Sequence, residues 1–115
     1  MGYYASAYQY DNSVITIPGA NILGALDALD ALPYLGGCVT VAESCQYVGF
    51  DTDTDFETGT VSLIGFDNKY VGVEELLDVL KAYVTPDSAF AFLGEDGAIW
   101  RWTPSGIQYA TITWN

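Results

Sequence analysis

Four carboxylates at every second position, Asp51, Asp53, Asp55 and Glu57, are the residues whose type and spacing most directly suggest chemistry. In an extended chain side chains alternate, so all four would leave one face about 6.8 Å apart. That step resembles the one between phosphates along a nucleic-acid strand, and the row would offer negative charge to a basic surface. The same Asp-x-Asp-x-Asp opening begins a calcium-binding EF-hand loop, which needs Gly at its sixth position and Glu at its twelfth. Phe56 and Ser62 stand there instead, which excludes an EF-hand. A divalent-cation site of another kind and a plain solvated acidic loop stay open as alternatives.

The run belongs to a wider excess of acid. Fifteen Asp and Glu face three cations, Lys69, Lys81 and Arg101, with no histidine, for a net charge of −12 in 115 residues. A small soluble domain usually carries a magnitude of about 2–8, and self-repulsion at higher density costs stability. The chain is half apolar and 15% aromatic, so the acids ride on a folded domain; disordered acidic tails lack such residues.

This balance removes several functions. Three scattered cations cannot neutralise phosphates, so direct nucleic-acid binding is excluded, and an anionic membrane surface is disfavoured for the same reason. No stretch approaches the roughly 20 apolar residues of a spanning helix. Met1-Gly2 lacks a basic leader and a polybasic second signal, so neither a signal peptide nor lipidation is expected; the expected location is the cytoplasm, that of the host cell if the chain is phage-encoded. Cys38 and Cys45 then read as reduced thiols, and two cysteines without histidine make no zinc site. Without histidine there is no Ser-His or Cys-His nucleophile, and no glycine-rich phosphate loop is present. The expectation is a non-enzyme with no cofactor and no metal.

A single compact domain over residues 1–115 must position these acids. β-formers fill residues 3–17, interrupted by a turn at Asp11-Asn12-Ser13. Ile22, Leu23, Leu26 and Leu29 mark one face of a helix that Asn21 would cap. After Gly36-Gly37, strands are expected at 38–42, 46–50 and 60–66. Val73, Leu76, Leu77 and Leu80 mark a second helix, and strands at 89–93, 98–103 and 107–114 follow, separated by turn sequences. This order predicts an α+β fold: one antiparallel sheet with two helices on one face, in a ferredoxin-like or related split β-α-β arrangement.

The helices carry the second concentration of acid, Asp27 and Asp30 on the first, Glu74, Glu75 and Asp78 on the second. If both cover one sheet face, their outer sides form one acidic surface with Lys81 as its nearest cation. Glu74 and Glu75 suit a helix N-terminus. Asp27 and Asp30 are like charges at i,i+3, and Asp30 lies near a C-terminus where the helix dipole favours a cation. Acids that break local rules are the better functional candidates. Glu95-Asp96 is turn chemistry, and Trp100, Trp102 and Trp114 with Tyr3, Tyr4, Tyr8 and Tyr10 suggest an aromatic platform or sheet packing.

Met1-Gly2-Tyr3-Tyr4 at one end, and Gly94-Glu95, Trp100-Arg101 and Ile112 to Trp114 at the other, resemble small uncharacterised actinobacterial and actinophage proteins. The likeness covers about a third of the chain and brings no activity with it. It implies a phage or mobile-element accessory protein. In class, not in sequence, the chain is similar to acidic phage anti-CRISPR and anti-restriction proteins that mimic nucleic acid. The expected function is therefore a non-enzymatic inhibitor whose acids block the basic nucleic-acid site of a host defence protein. A self-associating phage assembly protein, with a homo-dimer among its forms, and a domain whose charge serves only solubility are the alternatives.

Overall fold

Large apolar residues alternate with small or polar ones through the last third of the chain, and this period of two builds the sheet. Phe90 and Phe92 point one way from their strand, and Trp100 and Trp102 pair with them across the hairpin. All four are buried. In a computed structural model, which describes residues 3–8, 14–35 and 38–110, these strands belong to a seven-stranded antiparallel sheet.

The strands are β1 (Tyr4–Ala7), β2 (Ile15–Ile17), β3 (Phe50–Thr54), β4 (Val61–Lys69), β5 (Phe90–Gly94), β6 (Ile99–Thr103) and β7 (Gly106–Tyr109). The helices are α1 (Ile22–Leu29), α2 (Val41–Tyr47) and α3 (Val73–Leu80). β4 is the spine: β3 lies along one side of it, and β1 and β2 share the other. Tyr8 N donates to Ala91 O of β5 at 2.9 Å, and Val14 O accepts from Ala89 N just before that strand at 3.2 Å, so β1 and β2 run end to end between β4 and β5. β6 and β7 extend the sheet beyond β5. The expected α+β class with one antiparallel sheet is what forms. A third helix, an interrupted first strand and the added β6–β7 hairpin separate it from a plain ferredoxin-like arrangement.

The inward face of the sheet meets the helices in a single core. Phe92 packs against Phe50, Phe66, Tyr70, Phe90 and Trp100 at centroid distances between 4.9 and 6.2 Å. Ala25, Leu29, Val41, Cys45, Leu76, Leu77 and Leu80 close this core from the helix side. The predicted aromatic platform is thus core at Trp100 and Trp102, while Trp114 and Tyr10 lie outside the described residues, as do Asp11-Asn12-Ser13 and Gly36-Gly37.

One stretch folds against expectation. Residues 38–42 and 46–50 were to be strands, yet α2 occupies Val41–Tyr47. Thr40 caps it by accepting from Glu43 N at 3.0 Å, and Glu43 reaches back to Val39 N at 3.1 Å. This Thr-x-x-Glu capping pattern outweighs the strand preference of Val39 and Val41. Asn21, expected to cap α1, instead donates from Nδ2 to the Tyr83 carbonyl at 3.0 Å. α3 starts from Gly72, whose φ of 76° suits glycine.

Phe92→Ala removes the residue on which the aromatic layer converges. It should cost about 3–5 kcal/mol, read as a lower urea midpoint, whereas Phe56→Ala, at an exposed turn position, should leave the midpoint in place.

Candidate acidic binding surface

Phe50 enters the core, so alternation turns Asp51 and Asp53 to the opposite, uncovered face of the sheet, level with Gly65 and Ser62 of β4. Asp51 lies so close over Gly65 that a Cβ there would meet its Oδ2 at 2.6 Å. The expected row of four ends here. Asp55 N bonds to Thr60 O at 2.8 Å and Gly59 N to Asp55 O at 2.7 Å, which turns the chain back into β4. The Asp55 carboxylate accepts from Glu57 N at 3.0 Å. A tight turn therefore replaces the extended strand after Thr54. Asp51 and Asp53 remain as an alternating pair, and Asp55 and Glu57 are exposed at the turn.

The helix acids lie on the other side of the sheet layer. Asp27 and Asp30 are exposed on α1, with Asp30 at its C-cap and no basic residue in the last turn. Glu74, Glu75 and Asp78 line a groove of about 440 Å³ with Trp102, Gly106 and Ile107, between α3 and the β6–β7 hairpin. That groove takes no residue from α1. α1 and α3 pack against each other, and Asp51 and Asp53 do not join the helix acids, because β3 points these two carboxylates away from the helices. Asp78 pairs with Lys81 at 2.9 Å.

Several carboxylates work inside the fold. Tyr3 Oη donates to Asp96, Tyr4 Oη donates to Asp67 Oδ1 at 2.6 Å, and Tyr4 N donates to Glu95 Oε1 at 3.2 Å. Glu95 N returns a bond to Tyr4 O at 2.9 Å. Tyr3 also lies over Gly94, where a Cβ would stand 1.6 Å from its hydroxyl oxygen. Tyr3, Tyr4, Gly94 and Glu95, far apart in sequence, thus form one clasp that holds β1 against the β5–β6 turn. Asp96 is held below its ordinary value, first by the Tyr3 hydroxyl and then by Ala98 N. Tyr3 and Tyr4 are raised, chiefly by their hydrogen bonds to Asp96 and Asp67.

Two features escaped the sequence reading. Glu43 is a helix-cap acid, which its spacing from Thr40 could have revealed. Tyr70 is raised mainly by burial, with the Glu74 carboxylate nearby adding to the shift; it accepts from Trp100 Nε1 at 3.2 Å. This contact ties Tyr70 to Trp100 in the aromatic core. Cys38 and Cys45 are free thiols, and burial pushes Cys45 up to about 12. Among the described residues no group of three or more Cys, Asp and Glu comes together to hold a metal ion. Nor, among them, is any helix long and apolar enough to cross a membrane.

Comparison adds no relative: no family model, curated protein or solved structure is significantly similar to this chain.

The clasp carries a pH signature. A depressed Asp96 contributes stability that is complete above its ordinary value of 3.8 and is lost as pH falls through the lower folded value. The raised tyrosines contribute below their ordinary 10.0 and lose that contribution as pH rises through the folded values. Tyr3→Phe should therefore lower the urea midpoint near neutral pH, with the deficit closing in strong acid. A deficit constant across the acid range would assign the effect to packing alone.

Proposed function

We propose that this chain is a non-enzymatic acidic inhibitor that occupies the basic nucleic-acid-binding site of a host defence nuclease, as anti-CRISPR and anti-restriction proteins of phage do. One observation carries the reading: Asp27 and Asp30 stand on an ordered helix with no compensating cation. Like charges at this spacing cost about 0.2–0.5 kcal/mol, and an acid at a helix C-terminus forgoes about 0.3–1 kcal/mol that a cation would contribute. Neither carboxylate has a hydrogen bond or ion pair among the described residues. A basic partner would supply what the fold does not.

The distribution of acid favours a channel over a flat surface. Asp51 and Asp53 lie on one side of the layer, and Asp27, Asp30, Glu74, Glu75 and Asp78 on the other. The molecule measures 22 Å in its thinnest direction, comparable to a nucleic-acid duplex. A channel that closes around nucleic acid meets both sides of such a body at once. The groove of Glu74, Glu75 and Asp78, floored by Trp102 and Ile107, suits the apolar stem and charged head of an arginine or lysine.

The test is binding to a CRISPR nuclease, followed against competing DNA and rising salt. Binding should compete with DNA and weaken steeply with salt. Reversing Asp51 and Asp53 to Lys, and separately Asp27 and Asp30, should each weaken it by at least about tenfold. Affinity indifferent to both DNA and salt would contradict the proposal.

A further inference from the structure

The two edges of the sheet are built differently. β3 carries Asp51 and Asp53 and a register shift between Asp51 and Thr52, and Gln46 of α2 donates to Thr52 Oγ1 at 2.7 Å. Charge, a bulge and a neighbouring helix are the usual means of blunting an edge strand. β7 has none of them. Residues 102–115 contain no charged side chain, and among the described residues β7 pairs only with β6. Ala110 N donates to Ile99 O at 3.0 Å, which makes Gln108 and Gly106 the next residues bonded to β6. Ile107 and Tyr109 therefore turn their N–H and C=O groups outward.

We propose that β7 takes an extended basic segment of a partner protein as an added antiparallel strand, held by main-chain bonds to Ile107 and Tyr109. Register decides what such a strand presents. Ile107 is level with Trp102 and Tyr109 with Trp100, and both tryptophans belong to the core on the helix side. Side chains bonded opposite Ile107 and Tyr109 point the same way, about 6.8 Å apart. There they meet the groove of about 440 Å³ that Glu74 and Glu75 line with Ile107. Glu74 and Tyr109 both raise Tyr70, so this acid stands near the outer strand. Asp78 lines the same groove and is paired with Lys81 at 2.9 Å. Glu74 and Glu75 make no ion pair among the described residues.

Charge selects the occupant. A second copy would bring its own α3 acids to this edge, and a net charge of −12 opposes its approach. A strand with Lys or Arg at alternate positions lays its aliphatic stems over Ile107 and the exposed Tyr109 ring, with its charged heads at Glu74 and Glu75. Arg101 stands on the opposite face, level with Gln108, so the intervening positions have no use for a cation. The inference rests on the reading of this groove as the seat of a basic partner, and adds the strand that delivers the side chains to it.

The probe is a blocked peptide alternating Arg with Thr, added to the full chain and followed by amide hydrogen exchange in NMR spectra. Exchange at Ile107 and Tyr109 should slow on binding, while Gln108, already bonded to β6, should not change. N-methylation of the arginine amides keeps the charge, removes the donors and should weaken binding at least about tenfold. Glu74→Gln combined with Glu75→Gln should also weaken it at least about tenfold. Equal affinity for the methylated peptide, or slowing at other amides in place of these two, overturns the inference. So does slowing at Ile107 and Tyr109 that grows with chain concentration alone, which would assign the edge to a second copy. Peptide binding without nuclease binding contradicts only the inhibitor reading; nuclease binding without peptide binding contradicts only the added strand.

Discussion

Everything else in this molecule hangs on the aromatic layer centred on Phe92. Phe92 stacks on Trp100 at an interplanar angle of 18° and meets Phe50, Phe66 and Tyr70 edge-on. Those partners come from β3, β4, the segment after β4, and β6, so one cluster joins most of the sheet. Such ring pairs add about 0.5–1.5 kcal/mol each beyond their buried area. A chain with this charge gains little from surface electrostatics, and its few buried polar side chains among the described residues are Ser44 and Ser88. Cohesion is therefore apolar, and every described carboxylate is left at the surface.

That constraint sorts the acids into two kinds. Glu43 caps α2, Asp55 builds the β3–β4 turn, and Asp67, Glu95 and Asp96 hold the first strand through Tyr3 and Tyr4. These would belong in the sequence whatever the protein bound. Asp27, Asp30, Asp51 and Asp53 do nothing comparable for the fold, and they stand on ordered backbone where their positions are fixed. The excess of acid, taken as a total, therefore overstates the functional signal; the unemployed subset is what a partner would meet.

Most of the architecture was legible where periodicity was long and uninterrupted. Leu76, Leu77 and Leu80 gave α3, and the Phe-x-Phe and Trp-x-Trp alternation gave β5 and β6. Legibility failed at α2, where Val39, Val41, Tyr47 and Val48 favour a strand locally while the Thr40–Glu43 cap and burial of Val41 and Cys45 impose a helix. It failed again after Thr54, where the Asp55 side chain accepts from Glu57 N and turns an apparent strand into a turn. The division of the acidic surface was not legible at all. Which side of the sheet a strand's odd residues face depends on Phe50 entering the core, a tertiary fact that spacing within residues 51–57 does not contain.

The central claim is that Asp27 and Asp30 are kept at a cost to the fold because a basic partner uses them. The Asp27→Asn, Asp30→Asn double variant tests it most directly, by measuring thermal midpoint and affinity for a CRISPR nuclease on the same preparation. The account predicts a midpoint equal to or above that of the parent chain together with weakened binding. A lowered midpoint with unchanged affinity would contradict it, and would return these two acids to the fold.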